Sequence, residues 1–177
     1  MSGALLCLVF LCSAAAPSAA ASAAPAPLAA TAPVPQARPA ADAARLAREA
    51  GAGRPAVLHF WATWCDACED EFRHLGPLFN ALPGRGVAVE LVSIDAPETR
   101  GRIAPMLERL GVARLPLAVL DAPDPAPVAR ALGEPKWDGT LPATFVFDAR
   151  GKKVASFLGT TTRAQIEKAL RKARPTQ

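Results

Sequence analysis

Beyond residue 40 the chain switches repeatedly between helical and extended spacing of its apolar residues. Residues 41–50 set Ala and Leu against Arg and Glu at helical spacing, and Gly51-Ala52-Gly53 ends the run. Residues 56–61, Ala-Val-Leu-His-Phe-Trp, form a short, almost continuous apolar run, as in a strand buried on both faces. From Cys65 the period becomes helical, with Cys68, Phe72, Leu75 and Phe79 at i, i+4, i+7 and i+11. Gly76-Pro77 predicts a kink or a split there. Residues 87–94 read as a second buried strand. Asp95-Ala96-Pro97-Glu98 reads as a helix start. Ile103, Met106, Leu107 and Leu110 supply that helix's apolar face, settling after Pro105, and Gly111 ends it. Residues 115–120 predict a third strand and 121–127 a Pro-rich loop. Residues 143–147 and 154–158 flank Asp148-Ala149-Arg150-Gly151, a hairpin. Thr162-x-x-Gln165 is a capping box for a last helix that turns Ile166 and Leu170 inward. Alternation followed by a hairpin predicts an α/β domain: a central mixed sheet with helices on both faces.

The N-terminal part follows neither period. Residues 1–37 carry no charged side chain, and residues 5–16 are apolar. An apolar stretch followed by small residues such as Ala21-Ser22-Ala23 predicts a secretory signal over residues 1–24. The stretch is short of the roughly 20 apolar residues a membrane span needs. The basic residues that usually open a signal are missing. Cys7 and Cys12 lie in the apolar run. Cys12-Ser13 is the candidate for lipid attachment, although Leu11 stands where a lipoprotein signal wants a small residue; otherwise both cysteines leave with the signal. Residues 25–40 are Ala/Pro-rich and predict an extended spacer, either a tether or a mature tail. Residues 41–177 remain as the folded domain. Export places it in the periplasm or an equivalent extracytoplasmic compartment. An uncleaved signal or a lipid would tether it to the membrane.

Charge narrows the partners. The chain has 20 Lys and Arg against 16 Asp and Glu, a net charge of +4. The basic residues are scattered, without the aromatic-interleaved stripe that nucleic-acid binding asks for. Of the four cysteines, only Cys65 and Cys68 fall in the domain, so no structural disulfide framework is present. The domain is expected to act as a monomer.

Cys65-Asp66-Ala67-Cys68 carries the chemistry. Two cysteines three apart at a helix start lie on one face, close enough to close a disulfide. The first sits near free backbone N–H groups and the positive end of the helix dipole, which favour a thiolate. A thiolate is what attacks a disulfide. The pair therefore reads as a thiol–disulfide redox centre whose only cofactor is its own disulfide. Zinc would need four ligands, and no second cysteine pair follows, so no metal is expected.

The same order of elements around Trp64-Cys65-x-x-Cys68 resembles the thioredoxin fold. The closer resemblance is to its exported TlpA/ResA-like (DsbE-like) branch of thiol–disulfide oxidoreductases. It covers most of residues 55–170. Phe60-Trp61-Ala62-Thr63-Trp64-Cys65 matches the branch's active-site lead-in. Val92-Ser93-Ile94-Asp95 resembles its middle strand, and Gly139-Thr140-Leu141-Pro142-Ala143-Thr144-Phe145 its second signature. The resemblance implies that Cys65 attacks and Cys68 resolves the mixed disulfide. It implies that Pro142 is a cis-proline and that Leu141 and Pro142, with Trp64 beside the sulfur, meet an extended substrate. Glu71, three residues past Cys68, is implied as the carboxyl that moves the cysteine proton; a solvated helix charge is the bland alternative.

Three residues depart from the branch. His59, six residues before Cys65, stands where thioredoxin has a buried acid and the branch usually has asparagine. It is a candidate proton shuttle for Cys68, or a satisfied core histidine. Asp66 places a negative charge between the cysteines, which opposes the Cys65 thiolate and favours a more reducing couple. Arg73 replaces a proline common after the glutamate.

The expected function is reduction of protein disulfides, such as apocytochrome c haem-binding cysteines or copper-site cysteines, fed by a thiol-reducing membrane electron donor. A disulfide oxidase or isomerase usually carries a histidine between its cysteines. A copper chaperone on this fold wants Cys-x-x-x-Cys and a distant His, and no His follows His74. A thiol peroxidase needs a different cysteine setting.

Overall fold

The computed structural model describes residues 33–174. The expected signal over residues 1–24, with Cys7 and Cys12, lies outside the described residues. Eleven elements follow in the order β1 (Ala37–Pro39), α1 (Ala43–Gly51), β2 (Ala56–Trp61), α2 (Asp66–Ala81), β3 (Ala88–Ser93), α3 (Ile103–Arg109), β4 (Leu117–Asp121), α4 (Ala126–Ala131), β5 (Ala143–Phe147), β6 (Lys153–Leu158) and α5 (Arg163–Ala173). The strands form one mixed sheet in the order β1-β4-β3-β2-β5-β6. The first four run parallel, and β5 and β6 are antiparallel to their neighbours.

Strand β2 sits at the centre, and every residue in it is buried. Its alternate side chains divide the core. Val57 and Trp61 join Phe72 and Phe79 of α2, Ile103 and Leu107 of α3, and Ile166 and Leu170 of α5. Ala56, Leu58 and Phe60 join Leu46 of α1 and Val128 of α4 on the other face. A strand covered on both sides has no polar face, which is why 56–61 reads as an unbroken apolar run.

Two elements differ from the sequence reading. Residues 37–39, assigned above to the spacer, form edge strand β1 beside β4, so the folded domain starts before residue 41. Pro39 suits an edge strand because its missing N–H costs no ladder bond there, and Arg38 reaches Glu49 of α1 at 3.0 Å. Residues 126–131, partly assigned to the Pro-rich loop, form α4. Pro125 is its N-cap and Pro127 sits in its first turn, where no intrahelical N–H is needed.

Helix α2 continues through Gly76-Pro77 without splitting. Gly76 lets it approach the loop after α3, where an added Cβ would lie 3.2 Å from Val112 Cγ1. The Thr162–Gln165 capping box is present in full at α5. Asp148 holds the β5–β6 turn by accepting the N–H groups of Arg150 and Lys152, both at 2.9 Å. Among the described residues, no helix is long and apolar enough to cross a membrane.

Candidate active site

Strand β2 ends at Trp61, and the loop 62–65 delivers the chain to α2. Asp95, two residues past the end of β3, fixes that loop. Its carboxylate accepts the Thr63 N–H at 3.0 Å and the Thr63 hydroxyl at 2.6 Å. It also accepts the Ser93 hydroxyl at 2.9 Å. Asp95 is thus not the helix start the sequence suggested; a single turn of 3-10 helix at Arg100–Arg102 precedes α3. The only sequence signal for its role is its place directly after a buried strand.

Cys65 is the N-cap of α2, and its Sγ accepts the Cys68 N–H at 3.1 Å. The two cysteines form a disulfide. Their exposures differ: Cys65 is half-buried, while Cys68 is fully buried in the core. Only the first sulfur is open to a protein partner. Trp64, beside it, is 56% exposed and is one of two large exposed hydrophobic residues among those described. Asp66 and Ala67 are exposed on the first turn of α2. Glu69, in the same turn, is tied to Arg73 and Arg109.

The Leu141–Pro142 peptide bond is cis. Phe60 of β2 pairs with Ala143 of β5, so Pro142 lies at the same end of the sheet as the loop carrying the cysteines. Pro142 is buried, and its carbonyl accepts the Gly159 N–H at 2.9 Å. Leu141 is half-buried and packs against both halves of the core. Trp137 steadies the approach to this turn: its indole N–H donates to the Thr140 carbonyl at 2.8 Å. Its ring packs edge-on against Phe60 and Phe145. Sequence reasoning passed over Trp137 because a lone tryptophan in a loop carries no spacing signal.

Glu71 lies one turn past Cys68 on the buried face of α2. Its residue is 4% exposed, so the solvated-charge reading does not hold. Oε1 accepts the Thr161 N–H at 2.5 Å. Burial pushes the carboxyl up to about 7 from 4.5, against the opposing pull of that N–H. His59 is fully buried under α2, with its ring edge-on to Phe72 and tilted against Phe79. Its Nδ1 is bonded to the Thr144 hydroxyl at 3.0 Å, and its Nε2 stands 3.7 Å from Glu71 Oε2. Burial pushes the imidazole down to about 3, so it is neutral near pH 7.

The structure therefore gathers the sequence-predicted residues into two groups. Cys65, Cys68, Glu71 and His59 run inward from the start of α2 to the centre of the sheet. Trp64, Leu141 and Pro142 belong to the outer end of the same strands. Thr144, inside the second signature but given no role there, and Thr161, which carries no sequence signal, anchor the inner group.

This frame is the thioredoxin-like fold. A thiol:disulfide interchange protein of the thioredoxin family from Chlorobium tepidum TLS superposes with a TM-score of 0.56 at 20% identity, over 71% of this chain and 83% of that one. A DsbF homologue from Corynebacterium diphtheriae gives a TM-score of 0.56 at 21% identity, over 68% and 72%. Residues 30–155 match the AhpC/TSA family, and the chain belongs to that family. It is 30% identical over 123 residues to the thiol-disulfide oxidoreductase ResA of Bacillus thuringiensis (strain Al Hakam). It is 32% identical over the same length to ResA of Geobacillus thermodenitrificans (strain NG80-2). Each match spans 70% of this chain and 65% of the relative, just under two thirds of those proteins.

Proposed function

We propose that this protein is an exported thiol–disulfide oxidoreductase that reduces disulfides in other proteins. The unequal burial of the bonded Cys65–Cys68 pair carries this reading, because it fixes an order of attack. In the reduced form the Cys65 thiolate attacks a substrate disulfide. A Cys65–substrate disulfide forms, and the first substrate sulfur leaves as a thiol after taking a proton. Cys68 then gives its proton to Glu71 and attacks Cys65 Sγ. The second substrate thiol is released, and the Cys65–Cys68 disulfide reforms. Two electrons pass from the dithiol to the substrate.

The surroundings suit each step. The N-terminus of α2 favours a thiolate at Cys65. Residues three apart on a helix are neighbours, so Glu71 is placed to serve Cys68. A carboxyl that titrates near 7 both accepts and returns a proton at neutral pH. Trp64 and the Leu141-Pro142 turn offer an apolar contact and backbone groups to an extended segment around the target cysteine. The names of the ResA relatives support the activity. Asp66, whose charge opposes the Cys65 thiolate, supports reduction over oxidation. An oxidised enzyme outside the cytoplasm needs a membrane donor of thiol-reducing type to restore it.

Trapping tests this directly. Cys68→Ala in the full chain, expressed in its own host, should accumulate mixed disulfides through Cys65 with secreted or membrane proteins carrying cysteine pairs, including apocytochromes or copper-site proteins. No adduct, together with stoichiometric copper on the wild-type protein, would favour a copper chaperone instead.

A further inference from the structure

Of the buried polar side-chain atoms without a hydrogen-bond partner among the described residues, two stand beside each other. They are His59 Nε2 and Glu71 Oε2, 3.7 Å apart. We propose that His59 is a positioning residue that acts through Glu71, by holding between its Nε2 and the Glu71 Oε2 a single proton. The inference rests on the role of Glu71 at Cys68 proposed above.

The argument is one of proton counting. With no proton between the two atoms, an imidazole lone pair would face a carboxylate lone pair. With two, a donor would face a donor. Neither is tolerable where both atoms are sealed from water and the imidazole packs against Phe72 and Phe79. One proton satisfies both once the pair closes by about half an ångström, into hydrogen-bond range.

That proton has two homes. When Glu71 is a neutral acid, its O–H donates to Nε2, the ring keeps its proton on Nδ1, and Nδ1–H donates to the Thr144 hydroxyl oxygen. When Glu71 is a carboxylate, Nε2–H donates to it, and the Thr144 hydroxyl turns round to donate to Nδ1. A hydroxyl is the one partner that serves both tautomers, because it both donates and accepts. The observed 3.0 Å contact between Nδ1 and Thr144 Oγ1 fits either state. Ionising Glu71 thus shifts the shared proton onto Nε2, releases the Nδ1 proton by way of the Thr144 hydroxyl, and swaps the tautomer of His59, while the ring is neutral in both states. This is consistent with the opposite directions in which burial displaces the two groups.

Few other charges bear on the pair. On α2, Cys68, Asp70 and His74 lie within a turn of Glu71, and Asp70 is paired with Arg73 at 2.6 Å. On α5, Arg163 shares with Glu71 and His74 a surface groove of about 440 Å³. The strand neighbours of His59 are Leu91 and Thr144, neither of them charged.

With only His59 and His74 in the chain, imidazole nitrogen NMR on the full, histidine-labelled protein reads the pair directly. His74→Gln assigns the signals. His59 should remain neutral from pH 5 to 9 and pass from the Nδ1–H to the Nε2–H tautomer with a midpoint near 7. Glu71→Gln should abolish the transition. His59→Phe should move the Glu71 carboxyl midpoint, read by carbon NMR, upward by about one unit, a tenfold change in proton affinity. If that variant does not fold, His59→Gln, whose amide also donates and accepts, should fold and hold the midpoint within a few tenths of the wild type. An imidazolium signal with a midpoint between pH 5 and 8, or a fixed tautomer through the Glu71 titration, overturns the inference without touching disulfide exchange. A wild-type protein that switches tautomer but exchanges no disulfide would instead overturn the proposed function.

Discussion

Asp95 accepts both the backbone N–H and the hydroxyl of Thr63, at 3.0 and 2.6 Å, from two residues past the end of the neighbouring strand. One buried carboxylate therefore sets the path of the loop between β2 and Cys65. Hydrogen bonds to a charged group are worth about 1.5–3 kcal/mol each, and a stranded N–H adds a desolvation cost. Asp95→Ala should lower unfolding free energy by roughly 2–4 kcal/mol in urea titration. Thr63→Val removes only the hydroxyl and should cost about 1–2 kcal/mol. Equal losses in the two variants would show that the backbone contact contributes nothing.

Buried Glu71 and half-buried Glu90 pull stability with pH in the direction opposite to buried His59. Glu71 and Glu90 are both raised from 4.5 to about 7 by burial. Between those values the native state binds more protons than the unfolded chain, so each group makes stability fall as pH rises from 4.5 through 7. For a carboxyl displaced that far the loss is on the order of 2–3 kcal/mol. His59 is lowered from 6.5 to about 3. Between those values the unfolded chain binds more protons, so this group makes stability fall as pH drops through 6.5 toward 3. Chemical denaturation across pH should therefore show a shallow slope from 4.5 to 6.5, where His59 opposes the acids. Glu71→Gln should make stability fall less with pH over that window than it does in the wild type. A Glu71→Gln curve parallel to the wild type would mean that the Glu71 carboxyl is not held up by burial.

Trp137 offers a test of how the cis-proline turn is held. Trp137→Phe keeps an aromatic ring against Phe60 and Phe145 but deletes the N–H donated to Thr140. The expected cost is about 1 kcal/mol in global stability. The local effect should be larger, with faster amide exchange confined to residues 139–144. Uniformly faster exchange would assign Trp137 to general core packing.

The elements that pack a continuous apolar run or a full turn of periodic residues were legible in the sequence. Residues 56–61 and the spacing Cys68, Phe72, Leu75, Phe79 specify β2 and α2 by burial alone. Strand β1 was not legible, because three residues at a sheet edge owe their pairing to β4 rather than to any pattern of their own. Helix α4 was masked by prolines that serve its first turn. The cysteines were legible from spacing, and Glu71 from the family resemblance. The contacts that fix the site were not: Asp95 holds Thr63, Thr144 holds His59 and Thr161 holds Glu71 from 32, 85 and 90 residues away, and no local pattern gives these pairings even where Asp95 and Thr144 fall in recognisable motifs.

Asp66 decides the proposed direction of electron flow. It opens α2 beside Cys65, exposed, and among the described residues no ion pair involves it. In the proposed reading its charge disfavours the thiolate and with it the reduced form of the pair, so that the couple is more reducing. The wild-type couple should sit near the thioredoxin value, about −270 mV, or below. Asp66→Ala removes the opposing charge and should raise the potential by roughly 15–30 mV; a full unit of thiol stabilisation corresponds to about 30 mV for this two-electron couple. The difference should shrink with added salt, since an exposed charge is screened over about 10 Å at 0.1 M ionic strength. Redox titration against a dithiothreitol or glutathione buffer reads both effects. A wild-type potential near −120 mV would place the protein among disulfide donors. A fall in potential on Asp66→Ala would show that the residue acts by some route other than its charge on Cys65.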